Sequence, residues 1–187
     1  MNRQIAVTTA LLVSTLASVA LAQSIEQTPH NLSVTGPGTI RAATETQICE
    51  FCHTPHESSP VAPLWNRRIP VTSYLPYTSS TAIAQPGQPT GDSLLCLSCH
   101  DGTIALGELI SRPDNIVMAG GVTTMPPGDG LIGTDLRYDH PVSFEYSASL
   151  AAQNGELAAP GSFSPDLVLD ANGQLQCTTC HDAHDNR

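Results

Sequence analysis

Lysine is absent from this chain of 187 residues, whose only strong bases are seven Arg set against seventeen Asp and Glu. A formal net charge of -10 excludes the basic stripe that grips a nucleic-acid backbone. The acidity serves solubility or steers a basic partner. Aromatics are scarce as well, three Phe, four Tyr and one Trp, so a core of protein side chains alone is thin for this length. Fifteen Pro and fourteen Gly exclude long helices, because Pro removes an amide donor and Gly weakens the ladder. Disorder is excluded in turn, since 40% of the residues are hydrophobic. Something other than side chains has to fill the interior.

No cysteine is left over to pair elsewhere. All six lie in three copies of one pattern: Cys49-Glu50-Phe51-Cys52-His53, Cys96-Leu97-Ser98-Cys99-His100 and Cys177-Thr178-Thr179-Cys180-His181. Cys-x-x-Cys-His is the attachment sequence for c-type haem. Two thiols three residues apart share one face of a helical turn and can each add to a porphyrin vinyl group, and the next residue, His, is carried under the iron as axial ligand. With seven His in 187 residues, three chance placements directly after Cys-x-x-Cys have odds on the order of 1 in 20,000. Redox dithiols, structural disulfides and zinc sites account for the cysteines but not for the histidines. Three covalent haem c groups are therefore expected, on Cys49, Cys52, Cys96, Cys99, Cys177 and Cys180, with His53, His100 and His181 as proximal ligands. Such groups supply the missing core.

Near the N-terminus, Arg3 precedes an apolar stretch from Ile5 to Leu21 that runs into Ala20-Leu21-Ala22, a small-x-small cleavage pattern. Residues 1–22 are expected to be a secretory signal peptide, and 23–187 the mature triheme domain, with no membrane span after cleavage. A retained anchor helix is the alternative, weakened by the Thr and Ser inside the stretch. Export to the periplasm or the exterior of a bacterium agrees with covalent haem attachment.

The fold class expected is mostly irregular coil, with short helices at the haem motifs and a small β-hairpin, cored by haem. Thr44-x-x-Gln47 reads as a capping box for the first motif helix, and Asp92 or Ser93 as the cap of the second. Asn172-Gly173, flanked by Asp166 to Asp170 and Gln174 to Cys177, predicts a hairpin that delivers the third haem. Tyr146 to Gln153 predicts one further helix. The Pro-, Gly-, Ser- and Thr-rich runs Pro60 to Gly91 and Pro113 to Asp135 read as connections wrapped over haem faces.

Four histidines remain for the three distal positions: His30, His56, His140 and His184. His56 and His184 follow their motif His by three residues, and on a helix such rings share a face. Each is thereby moved off its own haem and onto a neighbouring one. The first and third haems then need His30, His140 or a ligand from another chain, and the middle one takes His56 or His184. One histidine is surplus, either a surface residue or a ligand to a neighbouring subunit's haem. Pro141 holds His140 in an extended turn suited to ligation. Met118 and Met125 are the competing distal ligands. Trp65, Tyr74, Tyr138 and Phe144 read as haem-packing residues.

His30-Asn31-Leu32-Ser33 with Gly36-Pro37-Gly38, Cys49 through His56 with Pro63-Leu64-Trp65-Asn66, Leu95 to Leu106, Asp139 to Phe144, and Cys177 to His184 together make a chain that resembles the multihaem cytochromes c of the doubled CXXCH motif family. The resemblance implies a bis-histidine electron-transfer protein with little regular secondary structure. It also implies a capacity, known in some relatives, to assemble into extracellular filaments, with the residue matching His56 ligating a haem of the adjacent subunit. Three haems is fewer than such filament proteins usually carry.

The expected function is electron transfer, not catalysis, between redox donor and acceptor proteins, with the chain itself as a further partner if it polymerises. The rival is a small multihaem reductase with one open iron. A surplus of histidines and the lack of any Cys-x-x-Cys-Lys variant argue against it.

Overall fold

The computed structural model describes residues 24–185; the signal-peptide reading of 1–22 lies outside them. Most of the chain is irregular. Two α-helices, α1 (Gly91–His100) and α2 (Ala148–Asn154), and two antiparallel strands, β1 (Phe144–Glu145) and β2 (Gln174–Leu175), are joined by coil and five single turns of 3-10 helix. Two of those turns, Cys49–Phe51 and Cys177–Thr179, are the first and third cysteine motifs, and α1 ends in the second. Among the described residues no helix is long and apolar enough to cross a membrane.

The core explains where the motifs point. One cluster joins Ala42, Phe51, Leu106, Leu109, Ile116 and Met118, with Cys52 and Cys99 packed against it, and a second joins Tyr74, Leu97 and Leu136. In all three motifs the residue before the second cysteine is buried: Phe51, Ser98 and Thr179. Burying that residue pins each motif to the protein beneath it. Fully burying a Phe contributes about 1.5–3 kcal/mol, so Phe51 is the strongest of the three anchors.

Arg67 has no exposed surface and acts as a strut between segments. Its guanidinium donates to the main-chain oxygens of Leu106 (2.8 Å), Ala105 (2.9 Å), Ser98 (3.3 Å) and Glu108 (3.3 Å). Its neighbour Asn66 closes on the first motif, with Asn66 N donating to Cys52 O at 2.9 Å and Asn66 Nδ2 to Glu50 O at 2.7 Å. Arg112 adds ion pairs to Glu45 (3.0 Å) and Glu50 (2.9 Å) on the same motif.

Several local expectations change. The first motif has no capping box from Thr44 and Gln47: its 3-10 turn starts after Ile48, which makes no side-chain cap bond. Glu45 takes the amides of Thr46 and Gln47 instead, both at 2.8 Å. The N-cap of α1 is Thr90, not Asp92 or Ser93. Those two sit inside the first turn, where their oxygens are engaged by the third motif: Thr178 Oγ1 donates to Asp92 Oδ2 at 3.0 Å and Cys177 N to Ser93 Oγ at 3.1 Å. Gly102, at φ 74°, ends α1 in the left-handed conformation a side chain resists. The predicted helix Tyr146–Gln153 forms two residues later, capped by Ser147.

The hairpin also differs. Asn172-Gly173 does turn the chain, with Gly173 N donating to Asp170 O and Asp170 N to Gln174 O. Yet β2 pairs with β1, Phe144 opposite Leu175 and Glu145 opposite Gln174, and not with the 166–170 segment. A β-partner distant in sequence has displaced the local one, and this links the chain just after His140 to the chain just before the third motif.

Candidate haem-binding site

Each motif histidine faces one other imidazole. His53 is stacked on His184 with ring centroids 6.1 Å apart and planes 8° from parallel. His140 faces His181 at 6.3 Å and 19°, and His30 faces His100 at 6.0 Å and 60°. Two metal–nitrogen bonds of about 2.0–2.1 Å plus the inner half of each five-membered ring sum to about 6 Å, the spacing of two imidazoles on opposite sides of one iron.

Each pair has a structural cause. For His181 and His140 it is the β1–β2 ladder, continued by Ser143 N donating to Leu175 O at 2.7 Å. His30 is fixed by an Asn31 turn, in which Ser33 N and Oγ donate to Asn31 Oδ1 at 3.1 and 2.7 Å and Asn31 Nδ2 reaches Glu26 O. Gly36 closes that loop: a Cβ there would lie 1.9 Å from Asn31 O, so no other residue fits without moving the turn. His53 is held by an isolated bridge to Trp65, whose ring meets it edge-on at 6.1 Å.

The remaining ring nitrogens are also arranged for ligation. His100 Nδ1 donates to Gly130 O at 2.6 Å and His184 Nδ1 to Asp182 Oδ1 at 3.2 Å. A proton fixed on Nδ1 leaves Nε2 with its lone pair for a metal. Partial desolvation first, then His100 and His184, hold His30 below the ordinary imidazole pKa, so the neutral, ligating form is favoured.

A cavity of about 750 Å³ connects most of these groups, with His140 and Cys177 outside its lining. It is lined by both cysteines of the first two motifs, by Cys180, and by His30, His53, His100, His181 and His184, with Trp65 in its wall. None of the six cysteines pairs with another in a disulfide. Burial pushes Cys52 up to about 12 and raises Cys99 as well. The third motif docks on α1, which ends in the second, with Cys177 N donating to Ser93 Oγ at 3.1 Å and Thr178 Oγ1 to Asp92 Oδ2 at 3.0 Å. Trp65 Nε1 is buried with no hydrogen-bond partner, a spare donor beside His53 suited to a carboxylate-bearing group. Among the described residues no group of three or more His, Cys, Asp or Glu could hold a bare metal ion. Two cysteines beside each motif histidine and one facing imidazole for each are the donors that a haem, bringing its own four nitrogens, would require.

The ring pairing departs from expectation in two ways. The motif turns end at Phe51 and Thr179, so neither His56 nor His184 lies on a continuing helix, and the shared-face premise does not apply. His184 still faces a motif other than its own, but it is the first, and the ring opposite the middle motif's His100 is His30. His56 faces none of the other six imidazoles among the described residues; its segment is tied back by Thr54 Oγ1 donating to His56 O at 2.7 Å. Met118 is buried in the core and Met125 packs against it, neither opposite a proximal histidine. Tyr74 is core and donates to Asp101 at 2.7 Å, whereas Tyr138 is exposed under Arg137. Phe144 stands in β1 against Tyr146.

Arg67 and Asp182 were not singled out from sequence. Asn66-Arg67-Arg68 reads as surface charge, and only the paired Cys-His-Asp strings at 99–101 and 180–182 hint at a carboxylate next to a ligand. No protein-family model matches the chain, and no curated protein matches it significantly.

Proposed function

We propose that the chain is an exported triheme c-type cytochrome that carries electrons one at a time between redox proteins, related to the doubled CXXCH family by the motifs quoted above. The observation that carries this reading is the set of three histidine pairs, each joining one motif histidine to one other imidazole at 6.0–6.3 Å. When bound, each haem supplies a one-electron ferric/ferrous couple.

The chain's own residues do the rest. Cys49 with Cys52, Cys96 with Cys99, and Cys177 with Cys180 provide the covalent attachments. His53 and His184, His100 and His30, and His181 and His140 would hold the three irons in pairs. Gly130 and Asp182 hold the ligand tautomers of His100 and His184. Because His184 follows the third motif and faces the first, and the third motif docks on α1, which carries the second, the three sites share one body of protein. Close packing of this kind suits relay and not storage at isolated sites.

The mass of the exported protein tests the reading. It should exceed that of residues 23–187 by three haems, and replacing both cysteines of any one motif by Ser should remove one haem. An exported protein with intact disulfides and no haem would overturn it.

A further inference from the structure

We propose that Arg67 is a positioning residue whose fixed positive charge, locked between the first and second motifs, raises the reduction potentials of the first two haems above that of the third. This rests on the triheme reading.

Arg67 is fully buried, and all four of its acceptors are main-chain carbonyls. Its Nε has no partner at all, and among the described residues it joins no ion pair. The carboxylate nearest by sequence contact, Glu108, offers Arg67 only its backbone oxygen, because its side chain is taken by Arg68 at 2.6 Å. A buried guanidinium without a counter-anion is costly, and carbonyl dipoles alone hold this one. As a structural tie it is poorly chosen; as a source of field it is well placed.

Its position is defined by main-chain contacts to both motifs. Arg67 Nη2 bonds Ser98 O inside the second motif, and the adjacent Asn66 bonds Cys52 O and Glu50 O in the first. Among the described residues no Arg67 hydrogen bond or ion pair reaches the third motif, which docks on the first turn of α1 through Ser93 and Asp92. Asp101, which follows His100, has its carboxylate engaged by Tyr74 and Thr103. Oxidation adds a positive charge to a haem, and a fixed cation nearby in a low dielectric disfavours that state. Electrons then rest preferentially on the first two haems.

Spectroelectrochemical titration of the holoprotein tests this, after haem content has been measured. In Arg67→Met, two of the three midpoint potentials should fall while the third stays in place, and Arg67→Lys should keep all three near wild type. Unmoved potentials in a three-haem Arg67→Met protein, an equal fall in all three, or a fall in Arg67→Lys as large as in Arg67→Met would overturn the role. If Arg67→Met yields no folded holoprotein, the wild type still decides: the couple displaced in His140→Ala, which marks the third haem, should be the most negative of the three, and finding it the most positive overturns the proposal. Absence of covalent haem would overturn the triheme reading and the Arg67 role together; three haems with unmoved potentials would overturn the Arg67 role alone.

Discussion

The first two motifs and the third are held by different forces. Phe51 and Leu97 are driven into apolar clusters, and Cys52 and Cys99 lean on the same core. The third motif has Thr179 where the first has Phe51 and Thr178 where the second has Leu97, and it sits outside both clusters. Hydrogen bonds dock it: Gln176, almost fully buried, accepts from Ser93 Oγ at 2.6 Å and Ser143 Oγ at 2.9 Å and donates to Asp170 Oδ2 at 2.9 Å. Apolar burial is non-directional and sums over area, whereas a buried polar network is directional and costly once one member is lost. The third motif is thus placed with angular precision on a thin apolar foundation, and it depends on partners from α1 and from the segment preceding β1.

That contrast can be broken most sharply at its apolar end. Phe51→Ala should destabilise the holoprotein by about 3–5 kcal/mol, seen in chemical denaturation, with the first and second haems losing their native spectra before the third. Next in size, Gln176→Leu leaves the Ser93 and Ser143 hydroxyls without their acceptor and should cost about 1–3 kcal/mol. Its spectral change should be confined to the third haem. If Gln176→Leu loosened all three haems equally, the polar docking would not be local.

Smaller in stability, but specific in ligation, is His184→Ala. All three haems should stay attached, and the first, ligated by His53, should become five-coordinate and bind carbon monoxide; opening of the third haem instead would contradict the ring pairing. The smallest effect belongs to His56→Ala, which should leave haem content and spectrum unchanged in the monomer, because no other imidazole faces His56 among the described residues.

The cysteine motifs were legible because they are local, each read within five residues, and the helix expected from Tyr146 starts two residues later as α2. The pairing was not legible, since His53 meets His184 and His30 meets His100 only through tertiary contacts. The helical argument for His56 and His184 failed on an assumption about local structure, as the motif turns are a single 3-10 turn long. The hairpin at Asn172-Gly173 shows a related limit: turn chemistry fixed the reversal, but β1 won the strand pairing. Arg67 was invisible for the opposite reason, because an arginine's ordinary place is the surface and only the fold reveals that four carbonyls enclose this one.

The central claim is that three facing histidine pairs cap three irons. The visible spectrum of the reduced holoprotein before and after carbon monoxide, with haem content taken on the same sample, tests it most directly. Three haems per chain and an unchanged spectrum are expected. A carbon monoxide shift in one-third of the haem would contradict the claim, because one of the pairs at 6.0–6.3 Å would then not be a pair of ligands.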